Sequence, residues 1–318
     1  MHIGFVGLGK MGGNMALRLI QGAPDGTHAG GHTVTGYAKD PNADLADVAG
    51  FTPATSLVDL VRGLPPPRVV WVMVPAGQAT ESVIAELADL MPGGGIVIDG
   101  GNSFFRDTMR RAKGLDARGI RLIDVGTSGG VWGRQIGYCM MVGGDRADVD
   151  LCRPVFDALA PRNGWAHMGP VGSGHFVKMI HNGIEYGLME AYAEGFEILH
   201  KNKLFKLDLH AIADVWMRGS VIRSWLLELT EMMLRDQPTL DAIRPYVEDS
   251  GEGRWTIQEA MEADVPVPAI AAALFARFES RDPYNFSARF NAALRNAFGG
   301  HAVGKQIEKA PVKAPNLS

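Results

Sequence analysis

The sequence comprises 318 residues, of which 46% are hydrophobic and 21% are charged, and its net charge is −4. This length can hold two domains, and the composition is typical of a globular protein. The weakly acidic balance argues against nucleic-acid binding through bulk charge, and no apolar run reaches the ~18 residues of a membrane-spanning helix. The two cysteines, Cys139 and Cys152, match neither a disulfide framework nor a metal-ligand motif, so we expect no metal.

The N-terminus and the cysteine content both bear on location. The opening MHIGFVGLG predicts a strand and a glycine turn rather than a secretion signal. So few cysteines are typical of proteins from a reducing compartment. We therefore expect a cytoplasmic protein.

The first part of the chain alternates strands with helices. Short apolar runs predict strands over 2–7, 33–37, 68–74, 95–99 and 121–125, and periodic segments predict helices over 11–20, 57–62, 79–90 and 106–118. The glycine-rich stretch 21–32 is longer than an ordinary connection, and we interpret it as a surface insertion. Apolar strands separated by helices indicate a parallel sheet covered on both faces.

The pattern changes near Pro170. Helical spacing then predominates, over 176–201, 209–216, 220–235, 256–262, 270–281 and 286–298. We therefore predict an α/β domain of the Rossmann type over 1–172, followed by an all-α domain over 173–304. The last segment, 305–318, has no periodic apolar pattern, and we expect a mobile tail.

A glycine fingerprint lies between the first strand and the first helix. Its residues, in the order G-x-G-x-x-G, are Gly7, Leu8, Gly9, Lys10, Met11 and Gly12. Such glycines permit a tight turn, a close approach of pyrophosphate to the backbone and close packing of helix on strand. The helix N-terminus then favours the negative charge. This placement predicts a dinucleotide site, the alternative being a turn without a ligand.

The end of the second strand bears on which dinucleotide binds. An acidic residue there would bind the ribose of NAD, whereas a basic residue accommodates the 2′-phosphate of NADP. The sequence offers Ala38 and Lys39, followed by Asp40. Lys39 favours NADP and Asp40 opposes it, so NADP or NAD remains open with a lean to NADP.

Candidate site residues also lie at the ends of three further strands. Val74 and Pro75 follow the third core strand, and Asn102 follows the fourth. These strand ends face the edge where open α/β sheets bind ligands, so we assign all three residues to the cofactor site. Asn102 would also suit an ordinary turn. The next loop, Ser128-Gly129-Gly130, offers a hydroxyl and backbone amides to a carboxylate, or is a simple turn.

The stretch GHFVKMIHNGIEYG, residues 174–187, carries four polar side chains at helical spacing: Lys178, His181, Asn182 and Glu185. At about 100° per residue they share one face. Such a face is often only solvated, but this one adjoins the predicted domain junction, a common place for ligand clefts. A desolvated lysine there would have its charged form disfavoured, which suits a general base.

Over residues 1–303 the chain resembles the short form of the 6-phosphogluconate dehydrogenase family, within the β-hydroxyacid dehydrogenase superfamily. The resemblance rests on GLGKMGGNMALRL, DGGNS, GTSGG, GHFVKMIHNGIEYG, GEGRWT, LFAR and LRNAFGGH. It implies oxidative decarboxylation of 6-phospho-D-gluconate to D-ribulose 5-phosphate and CO2, with NADP or NAD, in the pentose phosphate pathway.

The resemblance also implies residue roles. Lys178 is the implied general base and Glu185 the implied acid that protonates carbon 1 of the enediol. Asn182 and His181 would bind the reacting hydroxyls. Contacts to the sugar acid are implied for Asn102, Ser128, Gly129 and Gly130, and contacts at the phosphate end for Tyr186, Arg254, Arg277, Arg295 and His301. The segment with the last two is expected to reach the neighbouring subunit's site, which implies a homodimer or homotetramer.

Three departures from the family pattern affect these expectations. The turn Tyr37-Ala38-Lys39-Asp40 has neither the arginine of the usual NADP pattern nor the acid of the NAD pattern, which leaves the cofactor preference open. Val131-Trp132-Gly133 stands where the long form has acidic residues, which leaves contacts of that loop open. Arg254 stands where the long form often has lysine, which keeps the charge and adds a forked donor.

Two alternative functions remain from the sequence. A related β-hydroxyacid dehydrogenase acting on a small unphosphorylated hydroxy acid would share the glycine fingerprint and Lys178. It would need neither the basic residues of the phosphate end nor Glu185. A nucleotide-sensing protein without catalysis would not be expected to keep Lys178 and Glu185 together.

Overall fold

The computed structural model of the protein describes residues 1–40, 42–300 and 302–304. Its strands are β1 (His2–Val6), β2 (Thr33–Tyr37), β3 (Phe51–Pro53), β4 (Val69–Val72), β5 (Ile96–Asp99), β6 (Arg121–Ser128), β7 (Cys139–Gly143) and β8 (Trp165–Gly169). They form one sheet in the order β3-β2-β1-β4-β5-β6-β7-β8. Neighbouring strands are parallel except β6 and β7, which are antiparallel.

Helices cover this sheet, and the alternation along β4 shows why both faces need cover. Val69 and Trp71 belong to one buried apolar cluster, whereas Val70 and Val72 belong to another. Successive side chains point to opposite faces of a strand, so a fully apolar strand must be buried on both sides. The helices of this region are α1 (Lys10–Gln21), α2 (Leu57–Arg62), α3 (Gln78–Leu90), α4 (Phe105–Asp116), α5 (Gly133–Ile136) and α6 (Arg146–Leu159).

From Ser173 onward the described chain is helical, as predicted. The helices are α7 (Ser173–Lys201), α8 (Leu209–Met217), α9 (Trp225–Asp236), α10 (Glu252–Glu262), α11 (Pro268–Arg281) and α12 (Phe286–Gly299). Helix α9 begins five residues later than the apolar pattern indicates, because Ser224 caps it: its side chain accepts a hydrogen bond from the Leu227 N–H at 3.2 Å. The predicted fold class, Rossmann-type α/β followed by all-α, is confirmed.

Five elements of the sheet region carry too weak a pattern to be predicted from the sequence: β3, α5, β7, α6 and β8. Strand β3 is only three residues long and ends in Pro53, and helix α6 contains Pro154. Strand β8 alternates between half-buried and exposed residues rather than showing an apolar run. Pairing with a neighbouring strand, rather than intrinsic preference, makes the segments of β3, β7 and β8 extended.

The chain divides into two compact units. The first comprises Met1–Ile198 and Ser250–Ala271, and the second comprises Leu199–Asp249 and the residues from Ala272 onward. The first unit therefore holds the sheet, most of α7 and also α10. Helix α10 belongs to it although residues 199–249, which precede α10 in the sequence, belong to the second unit. No helix in the described part of the chain is long and apolar enough to cross a membrane.

Candidate active site

The glycine fingerprint forms the tight turn between β1 and α1. Gly7 has φ of +92°, and a β-carbon there would lie 2.4 Å from the carbonyl oxygen of Met73. A β-carbon on Gly12 would lie 1.9 Å from the carbonyl oxygen of Gly7. Asn42, which belongs to no motif in the sequence, donates from Nδ2 to the Leu8 carbonyl oxygen at 2.7 Å and so holds the turn in place.

Gly9 differs from these two glycines because it faces open space. It is the N-cap of α1, no side chain caps the helix, and a β-carbon there would meet nothing within 4 Å. The first backbone amides of a helix lack intrahelical acceptors and attract anions. The turn thus leaves room beside unsatisfied amides, which fits a bound pyrophosphate.

A cleft of about 1390 Å³ opens at this turn. Of the predicted cofactor residues, those that line it are Gly7, Leu8, Gly9, Lys10, Ala38, Lys39, Val74 and Pro75. Within the described chain, Met11, Gly12 and Asn102 do not line it. The cleft lies at the carboxyl ends of β1, β2 and β4, where this sheet type binds nucleotides. A dinucleotide therefore fits the residues present.

The wall at the end of β2 carries opposite charges. Lys39 and Asp40 are both exposed and both line the cleft. A lysine can pair with a 2′-phosphate, and an aspartate can accept from a 2′-hydroxyl. The geometry therefore supports NAD(P) binding without selecting one dinucleotide.

A hydrogen-bonded polar cluster lies on helix α7. The Lys178 side chain is only 5% exposed, and its Nζ donates to Asn182 Oδ1. The same oxygen lies 2.9 Å from His181 Nδ1, and Glu185 Oε2 lies 3.8 Å from that nitrogen. The four polar residues predicted to share a face therefore lie together, with Lys178 as the buried member.

Glu252 completes this cluster from another element. It lies in the first turn of α10, its side chain is 8% exposed, and its Oε2 accepts from Asn182 Nδ2. Its other carboxylate oxygen is 4.0 Å from Lys178 Nζ. Within the GEGRWT motif the sequence indicates a role for Arg254 alone, because a glutamate is normally exposed.

Burial governs the ionisation of both charged groups. Desolvation lowers the pKa of Lys178 from its usual value, while electrostatic interactions with Glu252, Glu185 and Cys139 raise it. Desolvation raises the pKa of Glu252, which Lys178, Ser250 and Asn182 oppose. A lysine whose pKa lies below the usual value can lose its proton more readily, as a general base must.

Contacts with β6 and β7 fix the start of α7. Asp124, fully buried, accepts from the Gly172 N–H at 2.6 Å and from the His175 N–H at 2.8 Å. A β-carbon on Gly174 would lie 2.4 Å from the Met141 carbonyl oxygen, so only a glycine permits this close approach of α7 to β7. These contacts hold the N-terminal end of α7 against the sheet. They thereby fix the position of Lys178 relative to the sheet.

Asn102 bridges two strand ends. With φ of +51°, it accepts from the Thr127 N–H at 2.9 Å and donates to the Thr127 carbonyl oxygen at 3.1 Å. The loop that follows contains half-buried Ser128, then Gly129 with φ of +128° and Gly130 with φ of +52°. Asn102 thus fixes the end of β6, where the Ser128-Gly129-Gly130 loop begins.

The predicted phosphate-end residues fall in different places. Buried Tyr186 bonds through its hydroxyl to Ser250, whose N–H lies 3.2 Å away, and Arg254 is exposed on α10 in the same compact unit. Arg277 and Arg295 belong to the second unit, where Arg277 Nη1 donates to the Glu248 carbonyl oxygen at 2.9 Å and Arg295 is exposed on α12. His301, like the tail predicted over 305–318, lies outside the described residues.

Comparison with known sequences decides the family. A sequence model described as the NAD binding domain of 6-phosphogluconate dehydrogenase matches residues 2–169. Another, described as the C-terminal domain of 6-phosphogluconate dehydrogenase, matches residues 174–310. The chain belongs to the 6-phosphogluconate dehydrogenase family. It is thus an oxidoreductase of the NAD(P)-dependent class, as the resemblance implied.

Members of the 6-phosphogluconate dehydrogenase family match most or all of the chain. A Haloferax volcanii relative, named as NAD(+)-dependent and decarboxylating, is 42% identical over 309 residues, covering 96% of this chain and 99% of its own. A Plasmodium falciparum enzyme, described with its cofactor NADP+ and its substrate 6-phosphogluconate, has a TM-score of 0.76 at 26% identity, covering 100% of this chain and 67% of its own. The Plasmodium enzyme is therefore the longer protein.

A dehydrogenase with a different substrate shares the fold. A Salmonella typhimurium 3-hydroxyisobutyrate dehydrogenase has a TM-score of 0.69 at 23% identity and covers 86% of this chain and 92% of its own. That identity supports a likeness of fold alone.

Proposed function

We propose that this chain oxidises and decarboxylates 6-phospho-D-gluconate to D-ribulose 5-phosphate and CO2, using NAD or NADP. The observation that carries the proposal is the buried Lys178 amine, hydrogen-bonded to Asn182 on the helix that leaves the dinucleotide-binding sheet. The Haloferax volcanii relative, which aligns over nearly its full length, supports the same reaction.

The Lys178 amine acts first as a base and then as an acid. Because burial lowers its pKa, the neutral amine is accessible and takes the proton of the substrate's 3-hydroxyl. A dinucleotide bound in the cleft supplies the hydride acceptor. The resulting ammonium then donates a hydrogen bond to the new keto oxygen and stabilises the negative charge that develops there as the carboxyl group departs.

Neighbouring residues on α7 complete the chemistry in this proposal. Glu185, which is about one-third exposed, protonates carbon 1 of the enediol, and solvent can return the proton it gives up. Asn182 and His181 orient the reacting hydroxyls. Asn102 and the loop Ser128-Gly129-Gly130 hold the sugar acid, where backbone amides and a hydroxyl suit its carboxylate.

The phosphate end requires fixed positive charge. We assign this charge to Arg254, Arg277 and Arg295, with Tyr186 and His301 as further donors. A guanidinium group can donate two parallel hydrogen bonds to two oxygens of one phosphate. We also propose that residues 1–172 serve as the dinucleotide domain and 173–304 as the substrate and dimerisation domain. The cytoplasmic location is proposed on the two free cysteines alone.

A homodimer or homotetramer, with the C-terminal segment reaching the neighbouring site, is part of the proposal. Helix α12 supports it with a row of exposed apolar side chains four residues apart: Phe286, Phe290, Leu294 and Phe298. Residues at this spacing share one helix face, and an exposed apolar face of this kind is typical of an interface.

For the cofactor we propose that Lys39 gives a preference for NADP. The opposing features are Asp40 on the same wall and the NAD(+)-dependence stated for the Haloferax volcanii relative. Steady-state kinetics with each dinucleotide give the preference as a ratio of kcat/KM. Replacing Lys39 with alanine should lower kcat/KM for NADP more than for NAD, and an equal effect would contradict the assignment.

The test of the activity is an assay with 6-phosphogluconate and each dinucleotide, following cofactor reduction and CO2 release together. Lys178→Met should abolish turnover while calorimetric dinucleotide affinity stays within about twofold, because the amine serves the substrate. Lys113→Met, an exposed change on α4, is the control and should match the wild type. Turnover of a small hydroxy acid without CO2 release would instead favour the alternative function, that of a related β-hydroxyacid dehydrogenase.

A further inference from the structure

Glu252 has no role in the mechanism above, yet it is a buried carboxyl in contact with the catalytic cluster. Its buried carboxyl group accepts from Asn182 Nδ2 and from Ser250 Oγ at 3.2 Å, and lies 4.0 Å from Lys178 Nζ. A carboxyl group loses its hydration on burial and is stable as an anion only with such donors around it. Its partners are all donors, which suits the ionised form.

This anion decides which way the Asn182 amide points. An asparagine has a donor end and an acceptor end, whereas an ionised carboxylate only accepts. With Glu252 on one side, the NH2 group must face Glu252 and Oδ1 must face Lys178 Nζ, as observed. The reversed amide would set two acceptors together on one side and two donors together on the other.

We propose that Glu252 is a positioning residue, whose buried carboxylate orients the Asn182 amide toward Lys178 and stabilises the ammonium form of that lysine. The inference rests on the proposed function. As the substrate O–H bond breaks, its proton forms a bond to Nζ, the oxygen electron pair forms the C=O bond, and the hydride leaves carbon 3 for the oxidised dinucleotide. Positive charge thus develops on Nζ beside Glu252.

Other titratable groups facing Lys178 contribute less to this stabilisation. Glu185 and His181, on the same helix, are about one-third exposed, so solvent screens their charges. Cys139, on β7, is exposed, so solvent screens its interaction with Lys178, and partial desolvation raises the pKa of its thiol. On β6, Gly126 packs against the Lys178 stem and brings no charge. Among the described carboxylates of this cluster, Glu252 is the buried one, so its charge is screened least by solvent.

The test is Glu252→Gln, which keeps the shape and removes the charge. The acid limb of the kcat/KM profile for 6-phosphogluconate should move about one pH unit lower, because an opposite charge at this distance raises a lysine pKa by about that much or more. kcat at the plateau should fall about threefold to tenfold, since the amine becomes a weaker base. The KM for the dinucleotide should not change.

Two further variants and one direct measurement separate this role from packing. Glu252→Asp keeps the charge and should return the limb toward its wild-type position. Glu262→Gln, an exposed change on the same helix, should leave the profile unchanged. Competitive acetylation of the Lys178 amine, read by mass spectrometry without substrate or dinucleotide, should give a lower pKa in E252Q than in the wild type.

The outcomes distinguish the two proposals. A wild-type chain without 6-phosphogluconate turnover would overturn the proposed function. The acetylation data would still show whether Glu252 raises the pKa of the Lys178 amine. An active wild type whose limb and amine pKa are the same in E252Q would overturn the inference. An equal shift in E252D and E252Q would also overturn it, because it would assign Glu252 to packing alone.

Discussion

Gly126 of β6 lies directly against Lys178 of α7: a β-carbon at Gly126 would come within 2.3 Å of Lys178 Cβ and 2.8 Å of the Gly174 carbonyl oxygen. The absence of a side chain at Gly126 therefore allows Lys178 to take the position it has. Strand and helix are both parts of the packed sheet region, so neither can retreat without cost.

Gly126→Ala should accordingly reduce both stability and turnover. Overpacking of this kind costs about 1–3 kcal/mol in the free energy of unfolding, and the displaced Lys178 should lower kcat. Urea unfolding and steady-state kinetics measure the two effects. Gly114→Ala is the control: its site on α4 is exposed with nothing within 4 Å, so it should gain about 0.5–1 kcal/mol. Unchanged kcat in G126A would contradict the expected displacement.

The glycine fingerprint allows binding and folding to be tested separately. Gly9→Ala should leave the free energy of unfolding nearly unchanged, because its β-carbon meets only open space, yet weaken dinucleotide binding about tenfold or more. Gly12→Ala should instead destabilise the fold, since its β-carbon would lie 1.9 Å from the Gly7 carbonyl oxygen. Calorimetric titration and thermal unfolding of both variants provide the comparison. Full affinity in G9A would move the pyrophosphate away from this turn.

Asp124 is expected to anchor the helix that carries Lys178. In Asp124→Asn one acceptor oxygen becomes an NH2 group facing a backbone N–H, and an unsatisfied buried donor costs about 1–3 kcal/mol. Hydrogen exchange should show weaker protection of the first turn of α7. Asp47→Asn, at an exposed position, should stay within about 0.5 kcal/mol of the wild type. Equal stability of both variants would remove Asp124 from this role.

The assignment of Arg295 to the phosphate end predicts a substrate-dependent effect. Arg295→Ala should raise the KM for 6-phosphogluconate about tenfold to a hundredfold, because a charged hydrogen bond contributes about 1.5–3 kcal/mol. Activity on unphosphorylated gluconate should not change, since that substrate lacks the group bound. Arg218→Ala, an exposed pair with Asp214 in the same compact unit, serves as the control. A KM for 6-phosphogluconate equal to that of the wild type would exclude the residue from the site.

Sequence alone determined the features that depend on neighbours along the chain. The glycine turn before α1 follows from steric requirements within a few residues. The shared face of Lys178, His181, Asn182 and Glu185 follows from helical spacing. The long apolar strands and periodic helices were likewise predicted to within a few residues, because their burial pattern is repeated in the sequence itself.

Tertiary structure alone decided which of these groups are buried and what they meet. Glu252 reaches Asn182 across 70 residues of sequence, and Asn102 reaches Thr127 across 25. No local pattern encodes such pairs, because they arise where separate elements pack. The ionisation of Lys178 was undecided for the same reason: desolvation, the main cause of its lowered pKa, is a property of the packed surroundings and not of the helix face.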